Sequence, residues 1–194
     1  MASTLLLASN SPRRRELLRA AGFEFESISP EIAERFQVEL TLREITALNA
    51  TRKGLAVARA QPHRIVLAAD TLVAIEGEVI GKPADLPEAA GMLRRLSGKV
   101  HEVCSAVFVC HLAEARSAIF HEFSQVRFRR LSDAAIKDYF TKIDPLDKAG
   151  AYAAQGHGAE IIQEIKGSYS NVVGLPMEKA TAMLAEFGIH PAIA

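Results

Sequence analysis

Most of the features that would assign this chain at a glance are missing. It has only two cysteines in 194 residues, Cys104 and Cys110, both in one apolar segment. On a strand they would face the same side about 20 Å apart, too far for a disulfide, so both read as reduced core residues. No run of 18 apolar residues occurs, which argues against a membrane-spanning helix. The stretch from Met1 to Leu7 lacks the basic region of a signal peptide, and a reducing cytoplasm is the expected compartment. Charge of one sign is not in excess, because 23 lysines and arginines balance 23 aspartates and glutamates. Neither a general nucleic-acid binder nor a membrane-surface protein is favoured. The glycine patterns of dinucleotide and P-loop sites are absent, and so is the G-x-S-x-G elbow. The six histidines are scattered, without H-E-x-x-H or zinc-ligand spacing. There is no internal repeat and no low-complexity linker.

What is present is an ordinary core-forming chain, 49% hydrophobic, of a length that suits one domain or two small lobes. Leu5 to Ala8 reads as a short buried strand. Ser11 can cap a helix with Pro12 at its first position, ending near Ala21 before Gly22. Arg13, Arg14 and Arg15 fall in its first turn. Cations there oppose the helix dipole, beside N–H groups that attract anions, so an anion site or a solvated basic turn is expected. Three arginines on one turn cannot all reach the same ligand. Phe23 to Ile28 alternates like a half-buried strand. Thr41-Leu42-Arg43-Glu44 has the capping-box pattern, and a helix follows to about Ala60. Ile45, Leu48, Leu55 and Val57 are its apolar positions, and Lys53, near the middle, reads as solvated.

The apolar run Ile65-Val66-Leu67-Ala68-Ala69 is a buried strand closed by Asp70. A hairpin over Leu72 to Ile80, turning at Glu76-Gly77, leads to Lys82. Asp85-Leu86-Pro87-Glu88 starts a third helix, ending at Ser97-Gly98. Strands are expected over Val100 to Val109 and Ala118 to Phe128, then a helix capped by Ser132-Asp133. Asp144 to Gly158 reads as irregular, Glu160 to Ile165 as a strand and Lys166 to Asn171 as a turn. A last helix runs from Pro176 to just before Gly188. Helices alternating with strands and hairpins place the chain in the α/β class with a mixed sheet.

Asp70 is the residue around which chemistry can be built. A carboxylate at a strand end can hold a divalent metal, activate a water, or merely cap a turn. Arg13, Glu34, Asp70, Lys82, Asp147, Lys148 and Gln155 are the polar residues that sit oddly. They combine carboxylates and cations without a nucleophile–base pair. That mixture suits metal-assisted attack on a phosphate ester, with Mg²⁺ on one or two carboxylates and the cations neutralising developing charge. Surface ion pairs use the same residue types.

Five motifs then resemble one family. They are Leu7-Ala8-Ser9-Asn10-Ser11-Pro12-Arg13-Arg14-Arg15-Glu16-Leu17-Leu18, Ala69-Asp70-Thr71 with Gly81-Lys82-Pro83, Leu96-Ser97-Gly98-Lys99-Val100-His101, Asp147 to Gly156, and Gly167 to Pro176. In this order, over Leu5 to Phe187, they resemble the Maf family of nucleoside triphosphate pyrophosphatases. The resemblance implies one Maf-like domain over residues 1–194, with a twisted mixed sheet flanked by helices and two lobes around a cleft. It implies hydrolysis of a nucleoside triphosphate to the monophosphate and pyrophosphate with a divalent cation, Mg²⁺ or Mn²⁺.

By the same resemblance, Asp70 matches the general base, and Glu34 and Asp70 the metal-holding acids. Ser9, Arg13, Lys53 and Lys82 match the triphosphate grip. Arg13, Thr71 and Gln155 match the specificity positions of the dTTP/UTP branch. A neutral amide such as Gln155 can both donate to and accept from a pyrimidine edge. The run Asn49-Ala50-Thr51-Arg52 before Lys53 and Ala33 before Glu34 depart from the family pattern. The resemblance leaves other readings open: a nucleotide-binding regulator of cell division and septum formation acting through partners, or a pyrophosphatase for 7-methyl-GTP or ITP/XTP. A homodimer is a family-level expectation only.

Overall fold

A computed structural model describes residues 5–33 and 39–192. In chain order the elements are β1 (Leu5–Ala8), α1 (Pro12–Ala20), β2 (Phe25–Ile28), α2 (Leu42–Ala60), β3 (Ile65–Ile75), β4 (Glu78–Ile80), α3 (Leu86–Leu96), β5 (Val100–His111), β6 (Arg116–Phe128), α4 (Asp133–Phe140), α5 (Gly158–Ile161), β7 (Ile162–Lys166), α6 (Tyr169–Val173) and α7 (Met177–Glu186). Short 3₁₀ turns lie at Leu112–Glu114 and Ala149–Ala151. Among the described residues the strands form one sheet in the order β2-β1-β3-β5-β6-β7, with β4 paired to β3. β1 runs parallel to β2 and β3, whereas β3–β4 and β6–β7 are antiparallel, so the sheet is mixed.

The chain divides into two compact units. The first comprises Met1–Asp70, Ser105–Glu122 and Gly174–Ala194. Its strands are covered on both faces, which is why Leu5–Ala8 and Ile65–Ala69 read as unbroken apolar runs rather than alternating ones. Successive side chains still take opposite sides. Leu6, Ala8, Val66 and Ala68 pack with Ala50, Val57 and Ala58 of α2. Leu5, Leu7, Ile65, Leu67 and Ala69 pack with Leu18 of α1 and with Ala180 and Leu184 of α7. The helix ends follow their sequence signals. The Ser11 hydroxyl accepts from the Arg14 N–H at 3.5 Å, and Gly22 supplies a left-handed stop at φ 79°. The capping box of α2 is complete: Thr41 Oγ1 accepts from the Glu44 N–H at 3.3 Å, and the Glu44 carboxylate accepts from the Thr41 N–H at 2.8 Å.

The second unit comprises Thr71–Cys104 and Phe123–Val173. Its core joins Val73, Ile75, Val103, Val126 and Phe128 of the strands to Leu93 and Leu96 of α3, to Ile136 and Tyr139 of α4, and to Tyr152. Asp85 caps α3 by accepting from the Glu88 N–H at 2.8 Å.

Three expectations change. β3 does not stop at Asp70 but continues to Ile75, because Thr71, Leu72, Val73 and Ile75 are good strand formers and Val73 to Ile75 pair with β4. Asp70 therefore lies inside a strand. The two-residue turn after it has Glu76 at φ 55° and Gly77 at φ 82°, the positive-φ pair of a type I′ hairpin. Second, β7 starts at Ile162, after the helical turn of α5. Third, the expected turn from Lys166 to Asn171 runs into α6, since the Ser168 hydroxyl accepts from the Asn171 N–H at 3.1 Å and so nucleates a helical turn.

Both cysteines are buried on β5 as thiols outside any disulfide, and burial pushes the Cys110 thiol up to about 11. In the first unit, a Cβ at Gly54 of α2 would come within 2.5 Å of the Phe108 ring, so the missing side chain is what lets the helix lie close on β5. Gly54→Ala should destabilise the protein by about 1–2 kcal/mol, overpacking outweighing the better helix propensity. A lower urea midpoint at unchanged m checks this, and a raised midpoint would contradict it.

Candidate active site

Asp70 sits on β3, which is flanked by β1 and β5, and is only 3% exposed. Strand alternation puts it on the same face as Val66 and Ala68, the face that α2 covers. α2 supplies two polar side chains there, Asn49 and Lys53, one helical turn apart. Lys53 Nζ donates to Asp70 Oδ1 at 2.6 Å, and Asn49 Nδ2 donates to Oδ2 at 3.3 Å. Lys53 is 7% exposed, so the expectation of a solvated lysine is corrected. Its position belongs to the buried set Thr46, Asn49, Ala50, Lys53, Gly54, Val57 and Ala58, the stripe that turns to the sheet. A charge in such surroundings is costly unless paired and hydrogen-bonded, and the carboxylate meets both conditions. Thr46, also on this stripe, instead donates back to the Leu42 and Arg43 carbonyls at 2.9 and 3.0 Å.

The loop between β1 and α1 forms the second cluster of the same unit. Ser9 is buried. Its hydroxyl oxygen accepts from the Ser11 N–H at 3.1 Å and from Arg14 Nη1 at 3.4 Å. With both acceptor positions used, its own hydrogen is what it has to offer an anion. Its carbonyl accepts from Ser27 Oγ at 2.8 Å, which fixes the loop against β2. Arg14 also donates through Nε to the Gly174 carbonyl at 2.8 Å. Of the three first-turn arginines, Arg14 is thus tied into the protein itself. Arg13 is half-buried at the second position of α1.

Thr71, Lys82 and Gln155 belong to the second unit. Thr71 follows Asp70 on β3 and, by alternation, turns to the opposite face. Lys82 is exposed in the segment leaving β4. The carbonyl of its neighbour Gly81 accepts from the Gly150 N–H at 3.0 Å. Gln155 is half-buried in the loop before α5. Asp147 and Lys148 form an ion pair with each other, and Lys148 also donates to the Asp144 carbonyl at 2.6 Å. Glu34 lies outside the described residues.

The first unit thus joins Asp70 to Lys53 and adds Asn49, whose signal in the sequence was its spacing of four from Lys53. A profile of the family described as Maf-like protein matches residues 4–187. The chain belongs to the Maf-like protein family. Among its Maf-like relatives is a dTTP/UTP pyrophosphatase of Symbiobacterium thermophilum, 46% identical over 95% of this chain and 94% of the relative. Another, of Bacillus pumilus and described in the same words, is 43% identical over 96% and 98%. The fold is also similar to the solved structure of the Staphylococcus aureus Ham1 protein, with a TM-score of 0.53 at 16% identity, covering 95% of this chain and 99% of that one.

Removing one partner of a buried ion pair leaves the other charge uncompensated. Lys53→Met should therefore cost about 3–5 kcal/mol. The double variant Lys53→Met/Asp70→Asn should lose clearly less than the sum of the two single losses. Urea unfolding of all four proteins measures the coupling. Strict additivity would mean that the pair contributes nothing.

Proposed function

We propose that this Maf-like chain hydrolyses dTTP and UTP to the nucleoside monophosphate and pyrophosphate. The observation that carries the reading is the buried Asp70 carboxylate, held on one side by Lys53 and on the other by Asn49. Such an arrangement has little structural purpose, since an apolar pair would serve the core as well or better. The names of relatives at 46% and 43% identity supply the substrate class.

In this reading Asp70 accepts a proton from a water whose oxygen attacks the α-phosphorus. The bond from the α-phosphorus to the bridging oxygen breaks, and pyrophosphate leaves with that electron pair. Asn49 and Lys53 fix the plane of the carboxylate, so the water is met in one orientation. The Lys53 ammonium puts positive charge where phosphate oxygens gain negative charge. The Ser9 hydroxyl, in the loop that leads into the N-terminus of α1, suits an anion there. Arg13 and Lys82 are assigned to the triphosphate, and Arg13, Thr71 and Gln155 to recognition of the base. The Gln155 amide can both donate to and accept from a pyrimidine edge.

Among the described residues no three His, Cys, Asp or Glu side chains cluster as a protein-only metal cage. The family resemblance assigns Mg²⁺ or Mn²⁺ to Asp70 and Glu34, and Mg²⁺ commonly takes one or two carboxylates and fills its other positions with water and phosphate oxygens. Bound there, the cation would neutralise phosphate charge.

Asp70→Asn should reduce pyrophosphate release from dTTP and UTP by about 10²–10⁴-fold in kcat, the usual worth of a positioned general base. A stopped-time pyrophosphate assay with Mg²⁺ measures it. Activity that survives the substitution unchanged would rule out this mechanism.

A further inference from the structure

The chain has three tyrosines, Tyr139, Tyr152 and Tyr169. All three take part in holding residues 152–154, the positions that lead into Gln155. Tyr139, on α4 and 1% exposed, brackets Ala153. Its hydroxyl donates to the Ala153 carbonyl at 3.2 Å and accepts from the Ala153 N–H at 3.2 Å. The Tyr152 hydroxyl lies 2.8 Å from His101 Nε2. The rings of His101, Phe128 and Tyr152 meet edge to face, with centroids 4.8 to 5.4 Å apart. The Tyr169 hydroxyl donates to the Ala154 carbonyl at 3.3 Å, from an exposed ring.

Close backbone approach completes the arrangement. A Cβ at Gly158 would lie 2.7 Å from the Ala153 carbonyl oxygen, so only glycine lets α5 begin so near. Residues 152–157 lie outside helices and strands. The Gln155 carbonyl accepts from the Gly158 N–H at 3.4 Å, and the His157 carbonyl from the Glu160 N–H at 3.1 Å. A loop of this kind ordinarily loses definition. Here each of residues 152, 153 and 154 has a tyrosine hydroxyl bond. Two of these involve side chains that are almost wholly buried.

We infer that the tyrosine hydroxyls, with His101 as the anchor of Tyr152, form a clamp that positions Gln155 and thereby sets base selectivity. The inference rests on the reading of Gln155 as a base-recognising residue. An amide that discriminates a carbonyl edge from an amino edge must be held to a fraction of an ångström, and recognition residues on loops need supporting contacts for that. Burial pushes the His101 imidazole down to about 4, so it meets Tyr152 as a neutral ring near neutral pH.

The test compares kcat/KM for UTP and CTP, which differ at one edge of the base, in wild type, Tyr139→Phe, Tyr169→Phe and Gln155→Ala. Tyr139→Phe should lower the UTP-to-CTP ratio about five- to tenfold and Tyr169→Phe about twofold, the range expected for losing one or two modest hydrogen bonds. The loss should fall mainly in KM. A purely structural role would reduce the active fraction and scale both substrates alike, leaving the ratio fixed. An unchanged ratio in a cooperatively melting Tyr139→Phe, with a shifted ratio in Gln155→Ala, overturns the clamp and leaves the reading of Gln155 standing. If Gln155→Ala also leaves the ratio unchanged, both fall. Should Tyr139→Phe not fold, the exposed Tyr169→Phe carries the same comparison, and an unchanged ratio there overturns the clamp.

Discussion

A lysine and an aspartate facing each other inside an apolar layer impose a condition on everything packed around them. The Asp70 carboxylate and the Lys53 ammonium are both taken out of water, and their attraction offsets that desolvation only at hydrogen-bonding distance and with the carboxylate's second oxygen also satisfied. The 2.6 Å contact and the Asn49 amide at 3.3 Å meet the condition. Meeting it requires α2 to lie close on the sheet, which the bare Cα of Gly54 against Phe108 allows. It also requires β3 to be held between neighbours on both sides, as it is by β1 and β5. Helix capping, core packing and one glycine thus converge on a single polar contact, where tertiary packing overrides what the local sequence favours.

The same logic separates two kinds of arginine at the start of α1. Arg14 bonds the Ser9 hydroxyl and the Gly174 carbonyl, and so gives its guanidinium to the architecture of the β1–α1 loop. In doing so it occupies an acceptor position of Ser9 and leaves that hydroxyl as a donor. Through that bond Arg14 helps decide which way the serine proton is offered. The second unit holds the loop before α5 differently, with aromatic hydroxyls and edge-to-face rings rather than charges. Directional contacts of that kind define position without an electric field that would compete with an anionic ligand.

Much of the fold was legible in the sequence because its signals are local. Ser11-Pro12, Thr41 to Glu44, Asp85 to Glu88 and Gly22 each fix a helix end through their own side chain or φ angle, and each was found where those signals pointed. The apolar run from Ile65 to Ala69 was readable as a buried strand for the same reason. The failures were tertiary. Asp70 read as a strand end because a charge ordinarily closes an apolar run, and only the lysine brought by α2 makes a charge tolerable in mid-strand. Lys53 read as solvated because nothing in a single helix shows what lies opposite. The pairing of Asn49 with Lys53 at four residues' spacing was a usable clue, yet a polar pair on a helix more often faces water. The clamp around Ala153 joins residues up to 51 positions apart, His101 and Tyr152, and no local pattern announces it. Family resemblance bridged part of that gap by naming Asp70, Lys53 and Gln155, but it did not say what holds them.

Cys110 lies in the first unit's core, among residues that contact α2. Its sulfur is shielded, and the same burial disfavours the charged thiolate that reacts with electrophiles. In the folded molecule this side chain is therefore close to inert. Its rate of alkylation then becomes a clock for transient opening of the layer between α2 and the sheet.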